Sequence, residues 1–511
     1  MNIKEAKEEI QRAITSYLEK DEFGDYVISR VRQRPVLLIG DPGIGKTAIM
    51  EQISQELGIG LVSYSMTHHT RQSAIGLPKI ETKTYGDLEY SVSEYTMSEI
   101  IASVYDEMEA TGLEEGILFL DEINCVSETL APAMLQFLQF KTFGKHEVPE
   151  GWVIATAGNP PEANKSVREF DIVTLDRVKK IVVEPDFEVW KEYAYKNNVH
   201  PAIITYLEIK KKDFYAIETT VDGIEFVTAR GWEDLSTMIK LYEKQEYPVD
   251  ERLIGQYVQH AKVAKEFAIY YDLYNKYKSD YQIPSILEGT YSQDIADRAK
   301  AAKFDERLTL VGLLIEAVGD DIKKAISTED YITELHKLLS ELKGLTEMVK
   351  APVDAVLGKY ILQRSTVYHE KKRANALSKE REIVLRKVII TLEDYRRALH
   401  EQGIEDLQEG FEWIRAEFAG RVAEMKEHIE MTQAELDNMF TFIEDVFGSE
   451  QEMLVAVTEM TVNYHSAKFI SRYGCDKYFK HNRELLVYER QQELLSEIML
   501  LNQREELDLS I

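Results

Sequence analysis

The stretch Val36-Leu37-Leu38-Ile39-Gly40-Asp41-Pro42-Gly43-Ile44-Gly45-Lys46-Thr47 joins a β-prone apolar run to a glycine-rich turn. A helix-compatible segment, Ala48 to Leu57, follows. The pattern is G-x-x-x-x-G-K-[ST] in a strand–loop–helix setting, the arrangement that cradles phosphate. Gly40, Gly43 and Gly45 let the backbone curl so that its N–H groups face phosphate oxygens, with Asp41, Pro42 and Ile44 completing the loop. The helix behind the loop presents its positive N-terminal end to the same anion. Lys46 places a cation near the β- and γ-phosphates, and Thr47 offers a hydroxyl to Mg²⁺. The expected ligands are therefore a nucleotide, held by its phosphates, and Mg²⁺.

The rest of the chain orders itself around this loop. Upstream, Ile3, Ala6, Ile10, Ala13, Ile14 and Tyr17 fall on one helical stripe. Downstream, Ile59 to Ser65 reads as a short strand, and the loop Met66 to Ser73 carries His68-His69, which act as loop polarity rather than as a metal site. Residues 77–97 alternate around Tyr85-Gly86-Asp87 and predict a β-hairpin, and Ile100, Ile101, Val104 and Met108 predict a helix. Ile117-Leu118-Phe119-Leu120 is a continuous apolar run, as in a buried parallel strand, and it ends in Asp121-Glu122. Asp121 can hold Mg²⁺ and Glu122 can polarise an attacking water. A second hairpin is expected over 141–149, and a further buried strand, Gly151 to Ala157, ends in Gly158-Asn159-Pro160. Asn159 can hydrogen-bond the lytic water or the γ-phosphate, or serve only as a turn residue before proline. Leu175-Asp176-Arg177-Val178 precedes the last apolar strand, Ile181 to Val183.

The combination GDPGIGKT (40–47), ILFLDEIN (117–124), VIATAGNP (153–160) and TLDRV (174–178) resembles the core of AAA+ ATPases, and within them the MoxR-type group. The two hairpins fit that group's pattern, and the resemblance covers about residues 30–270. It implies an α/β fold, a P-loop parallel sheet with a helical lid, and assigns residues 1–185 to the nucleotide and 186–280 to the lid. Residues 281–511 fall outside the resemblance; their own pattern predicts a mainly α-helical C-terminal extension, with docking of a partner or substrate as its default role. By the same resemblance Lys46 and Thr47 are Walker A, Asp121 and Glu122 Walker B, and Asn159 sensor 1. Arg177 falls where the family places an arginine finger, with Arg168 its weaker rival, and Arg230 resembles sensor 2. Such a finger serves the neighbouring subunit and supplies about 10³–10⁵ in rate where present. The resemblance thus implies an ATP hydrolase, a homo-hexameric ring, chaperone-like work on a protein, and a von Willebrand factor A-type partner. A nucleic-acid-directed motor and a nucleotide-gated scaffold with little turnover are the alternatives. The family's usual acidic and proline residues are missing beside His68-His69, so no glutamate-switch residue is named.

Bulk composition narrows these classes. The 90 acidic and 61 basic side chains leave a net charge of −29, a poor surface for nucleic acid or an anionic membrane. Two cysteines, Cys125 and Cys475, cannot frame a disulfide scaffold, and with no apolar signal core at the N-terminus a cytoplasmic protein is expected. No apolar run approaches the roughly 18 residues of a membrane span. Beyond Tyr281 the pattern turns helical, with Pro284 and Gly289 as punctuation. The clearest stripe runs from Phe411 through Ile414, Phe418, Val422, Met425, Ile429, Leu436, Met439 and Ile443 to Val446, one long amphipathic helix expected to pack in a helical hairpin. Two charged runs, Lys210 to Asp213 and 370–387, read as solvated faces; His465, Cys475 and His481 lack the fourth ligand and tight spacing of a zinc site, and Tyr473, Tyr478, Phe479 and Leu485 read as packing residues.

Overall fold

The computed structural model describes residues 1–68, 74–161, 167, 170, 172–220, 223–346, 351–373 and 377–483. His69, Arg168 and the tail beyond 483 lie outside them. The chain divides into two compact units.

The first unit comprises residues 1–190, 228–231 and the described part of 364–382. It opens with α1 (Ile3–Tyr17), started by a capping box in which Asn2 and Glu5 each accept the other's backbone N–H. The predicted stripe is real: Ala6, Ile10, Ala13 and Ile14 are buried. The next elements are β1 (Val36–Gly40), α2 (Lys46–Leu57), β2 (Gly60–Ser65), β3 (Pro78–Tyr85), β4 (Leu88–Tyr95), α3 (Glu99–Thr111) and β5 (Gly116–Asp121). Then come α4 (Ala131–Phe140), β6 (Thr142–Phe143), β7 (His146–Glu147), β8 (Trp152–Gly158), β9 (Lys179–Val183) and α5 (Phe187–Lys196), which runs into the second unit at Lys191.

Five strands form one parallel sheet in the order β2-β5-β8-β1-β9. The central strands are almost wholly apolar because both faces are covered; all seven residues of β8 are buried, and Thr156 among them donates its hydroxyl to the Val36 carbonyl. The register places Leu38 opposite Ala157 and Ile181, and Ser65 opposite Asp121. The carboxyl ends of β1, β5 and β8 therefore open on one edge, where ligands of open α/β sheets bind. Both expected hairpins exist. β3 and β4 pair from Pro78↔Tyr95 to Tyr85↔Leu88, leaving Gly86-Asp87 as the turn, and β6 pairs with β7. Lys83 of β3 and Lys145 of the second hairpin both bind the Glu94 carboxylate, which joins the two hairpins.

The second unit comprises residues 191–227 and 232–363 and the described residues from Ile383 onward. Its elements are α6 (Pro201–Ile209), β10 (Ala216–Thr220), β11 (Gly223–Val227), α7 (Ala229–Lys244), α8 (Glu251–Tyr257), α9 (Ala261–Asp280), α10 (Ile283–Leu287), α11 (Gln293–Ala301) and α12 (Phe304–Thr346). The chain continues as α13 (Val353–Arg373) and α14 (Lys379–Glu401), of which the described part of 364–382 belongs to the first unit, then α15 (Leu407–Phe447), α16 (Gln451–Val462) and α17 (Tyr464–Tyr473). Tyr206, Trp232 and Phe267 form an aromatic centre, with Trp232 and Phe267 edge-to-face at 5.2 Å. The Lys210–Asp213 run is not merely a solvated face: Asp213 accepts the Tyr206 hydroxyl at 2.5 Å, and its carbonyl accepts the Trp232 indole N–H. Farther along, α12 packs against α15, and a core of Leu335, Leu338, Leu357, Leu392, Tyr395 and Ile414 unites α12 to α15 as a helical bundle. The long amphipathic stripe faces inward there, with Leu436, Met439 and Ile443 fully buried. Among the described residues no helix is long and apolar enough to cross a membrane.

Candidate functional site

The glycine-rich loop leaves β1 at Gly40. A Cβ at that position would stand 2.6 Å from Ile44 Cδ1 and 2.8 Å from the Val183 carbonyl, so the strand, the loop and β9 fit only with glycine. Gly43 and Gly45 take φ of +76° and +96°, the left-handed region that side chains disfavour. Gly45 begins α2 without a side-chain cap, so the first amides of the helix are left for an anion.

Lys46, the first residue of α2, is buried. Its ammonium donates to the carbonyls of Gly40 (2.7 Å) and Asp41 (2.8 Å) and to Asn159 Oδ1 (2.9 Å). Burial pulls its pKa down to about 8, against the carboxylates of Asp121 and Asp41, which support the charged form. Two residues 113 positions apart, Lys46 and Asn159, thus meet at the strand ends. Thr47 Oγ1 donates to Asp121 Oδ2 at 2.9 Å. A hydroxyl and a carboxylate side by side are hard oxygen donors of the kind that suit Mg²⁺. Asp121 Oδ1 accepts the backbone N–H of Glu122, whose φ is +56°.

Sequence reasoning missed three neighbours. Ser65, the last residue of β2, donates to Glu122 Oε2 at 3.0 Å. The parallel pairing of β2 with β5, which sets Ser65 opposite Asp121, was the signal that could have found it. Asn124 donates to the Asn159 carbonyl at 2.8 Å and so holds the turn after β8. Thr228 stands 3.0 Å from where a Cβ of Gly43 would be.

The two arginines are placed differently. Arg230 is exposed, but its backbone N–H donates to the Gly43 carbonyl at 3.3 Å. Its guanidinium is close enough to add to the lowering of the Lys46 pKa. Arg177 is exposed on the turn before β9, where its backbone N–H donates to Thr174. Among the described residues it makes no hydrogen bond to the Lys46, Asp121, Glu122 and Asn159 group.

The edge therefore gathers phosphate-directed amides, a lysine, a pair of oxygen donors, a second acid and an asparagine. Residues 36–175 match the family profile described as "ATPase family associated with various cellular activities (AAA)". The chain is 25% identical over 236 residues to the Lon protease of Leptospira interrogans, an alignment covering 42% of this chain and 26% of that protein. It is 35% identical over 99 residues to the chloroplastic chaperone protein ClpC4 of Oryza sativa subsp. japonica, covering 19% of this chain and 10% of that one. It thus spans about a quarter and a tenth of the two relatives' lengths. The site geometry and the matched span agree, and the chain carries an AAA-family ATPase domain over residues 36–175.

Proposed function

We propose that this chain hydrolyses Mg-ATP and uses the energy to remodel or mature a protein partner, as the MoxR-type group does. The observation that carries the reading is the set of contacts Lys46–Asn159, Thr47–Asp121 and Ser65–Glu122 on one sheet edge. In this reading the loop amides and Lys46 bind the β- and γ-phosphates. Thr47 and Asp121 would hold Mg²⁺, which supplies neutralisation of phosphate charge. Glu122 orients and deprotonates the attacking water, Asn159 fixes that water or the γ-phosphate, and Ser65 holds the glutamate in register. Arg230, anchored beside the loop through Gly43, reads the nucleotide within its own chain.

Arg177 stands apart from this group and is exposed, which suits a residue that completes the site of a neighbouring copy. The active form is then a ring, taken as a homo-hexamer in the cytoplasm. Residues 1–185 bind nucleotide, 186–280 form the lid and 281–511 dock the partner, for which a von Willebrand factor A-type domain is one choice. A protein substrate is favoured because the relatives are a protease and a chaperone, and because −29 charges oppose nucleic acid.

The test is ATPase rate per chain against protein concentration, with assembly followed by light scattering. The rate should rise as assembly proceeds, and Arg177→Ala should abolish it in assembled protein. A flat rate from a monomer would sink the shared-site reading.

A further inference from the structure

We propose, on the hydrolytic reading above, that Asn124 is a positioning residue of the site: it aims Asn159 and ties it to the strand end that carries Glu122. Asn124 is the middle residue of the single turn Ile123–Cys125, which follows Glu122. The Cys125 N–H donates to the Glu122 carbonyl at 2.9 Å, so the backbone between the glutamate and Asn124 is fixed. The pairing of β5 with β8 ends at Leu120↔Thr156. Beyond it Asn124 joins the two strand ends, its Nδ2 donating to the Asn159 carbonyl at 2.8 Å. Among the described residues its side chain makes no hydrogen bond to Lys46, Thr47, Asp121 or Glu122, so it acts on the site through Asn159.

Both carbonyl oxygens of Asn159 are engaged. Lys46 donates to Oδ1 and Asn124 to the backbone oxygen. With Oδ1 turned to the ammonium, Nδ2 is the end of the Asn159 amide left to donate to a phosphate oxygen or to a water lone pair. Its aim depends on where the Gly158–Asn159 peptide lies, and Asn124 sets that in two ways. Its donor holds the Asn159 carbonyl, and its amide lies against Gly158. A Cβ at Gly158 would stand 2.6 Å from Asn124 Oδ1, 2.8 Å from Cγ and 2.9 Å from Nδ2.

The other end of the Asn124 amide is a separate observation. Asn124 is 4% exposed, and its Oδ1 is buried with no hydrogen-bond partner among the described residues. Burying an amide oxygen without a donor is unfavourable, and an apolar side chain would fill the same space without that penalty. Packing alone therefore does not account for asparagine. What an apolar residue could not do is hold the Asn159 carbonyl.

The test is a double-mutant cycle on the full chain between Asn124→Ala and Asn159→Ala. The readouts are ATP turnover and the binding of ADP, alone and with aluminium fluoride as a mimic of the transferring phosphoryl. Asn124→Ala should lower turnover by about tenfold or more, and weaken the aluminium fluoride complex by a similar factor, while ADP affinity stays within about threefold of wild type. In the Asn159→Ala background the same change should cost less than about twofold, because the residue it acts through is already gone. Gly158→Ala drives a methyl group into the Asn124 amide and should repeat the pattern, which covers an Asn124→Ala protein that fails to fold. Losses that multiply, turnover close to wild type, or ADP affinity that falls as far as turnover in both variants would overturn the role. Glu122→Gln separates this from failure of the hydrolytic reading. Wild-type turnover that is absent or indifferent to Glu122→Gln removes the reaction and the role with it. Turnover that needs Glu122 but shows multiplying losses removes the role alone.

Discussion

Glu122 sits in the left-handed region at φ +56°, a conformation costing on the order of 1–3 kcal/mol for a residue with a side chain. Its neighbours hold it there: Asp121 Oδ1 takes its N–H and Ser65 Oγ binds its carboxylate. If the carboxylate is the base for the lytic water, Glu122→Gln should cut turnover by about 10²-fold or more while ATP still binds. Ser65→Ala deletes one neutral hydrogen bond, of about 0.5–1.5 kcal/mol, so its effect on turnover should stay within about tenfold. Steady-state hydrolysis beside equilibrium binding of a fluorescent ATP analogue separates the two. Turnover unchanged in Glu122→Gln would return the nucleotide-gated scaffold as the better account. Lys141 poses a different problem at the same scale. It is 1% exposed, and among the described residues its ammonium donates only to Gln33 Oε1. Burial, helped by the nearby Arg30 charge, pulls its pKa down to about 7. The folded protein thus refuses a proton that the unfolded chain accepts below about pH 10. Stability should fall as pH drops from about 10 towards 7 and level off below that. Lys141→Met should flatten this slope. Urea unfolding midpoints between pH 7 and 9.5 decide it, and parallel slopes for the two proteins would show that Lys141 is already charged in the fold.

Elements were legible where their signal is local. The strand–loop–helix around Gly40–Thr47, the Gly86-Asp87 turn and the stripe of α15 all depend on residues within a few positions of one another, and periodicity or turn chemistry reports such neighbours directly. Pro284 and Gly289, read as punctuation, bracket the short α10, with proline in its first turn and glycine at φ +71° just beyond it. What joins elements was not legible, because the partners are far apart in sequence. Ser65 meets Glu122 across 57 residues, Lys141 meets Gln33 across 108, and Lys191 meets Glu459 across 268. The last of these ties α5 to α16 within the second unit. Lys191 is 3% exposed between Glu208 (2.9 Å) and Glu459 (2.8 Å), and Tyr195 also donates to Glu459. Burial alone would lower the pKa of Lys191, but the two carboxylates outweigh it and keep the ammonium charged. Removing the lysine alone would leave the buried Glu459 without its cation, while Glu208 keeps Lys211, so Lys191→Met should cost about 3–5 kcal/mol. Adding Glu459→Met should recover a large part of that loss, because apolar groups replace a buried pair at little net cost. A double-mutant cycle by chemical denaturation measures the coupling; additive losses would mean that the pair is not an energetic unit.

At the scale of the whole molecule the dominant physical fact is charge. Each chain carries −29, so copies brought side by side around a shared active site repel one another. The Debye length shrinks from about 30 Å at 0.01 M salt to about 8 Å at 0.15 M, which removes most of the repulsion between surfaces not in direct contact. If hydrolysis needs neighbouring chains, both assembly and ATPase rate per chain should rise as salt increases over this range at fixed protein and nucleotide. A motor gripping nucleic acid through basic contacts predicts the opposite sign, since counterion release weakens its binding steeply as salt rises. The direction of the salt response therefore separates a protein-directed ring from a nucleic-acid motor before any partner is known. Light scattering and hydrolysis followed together between 0.01 M and 0.15 M potassium chloride give the answer. Activity that rises in step with assembly supports a site completed between chains. Activity that falls while assembly grows would mean that the ring is not the hydrolysing form, and that Arg177 completes no neighbour's site.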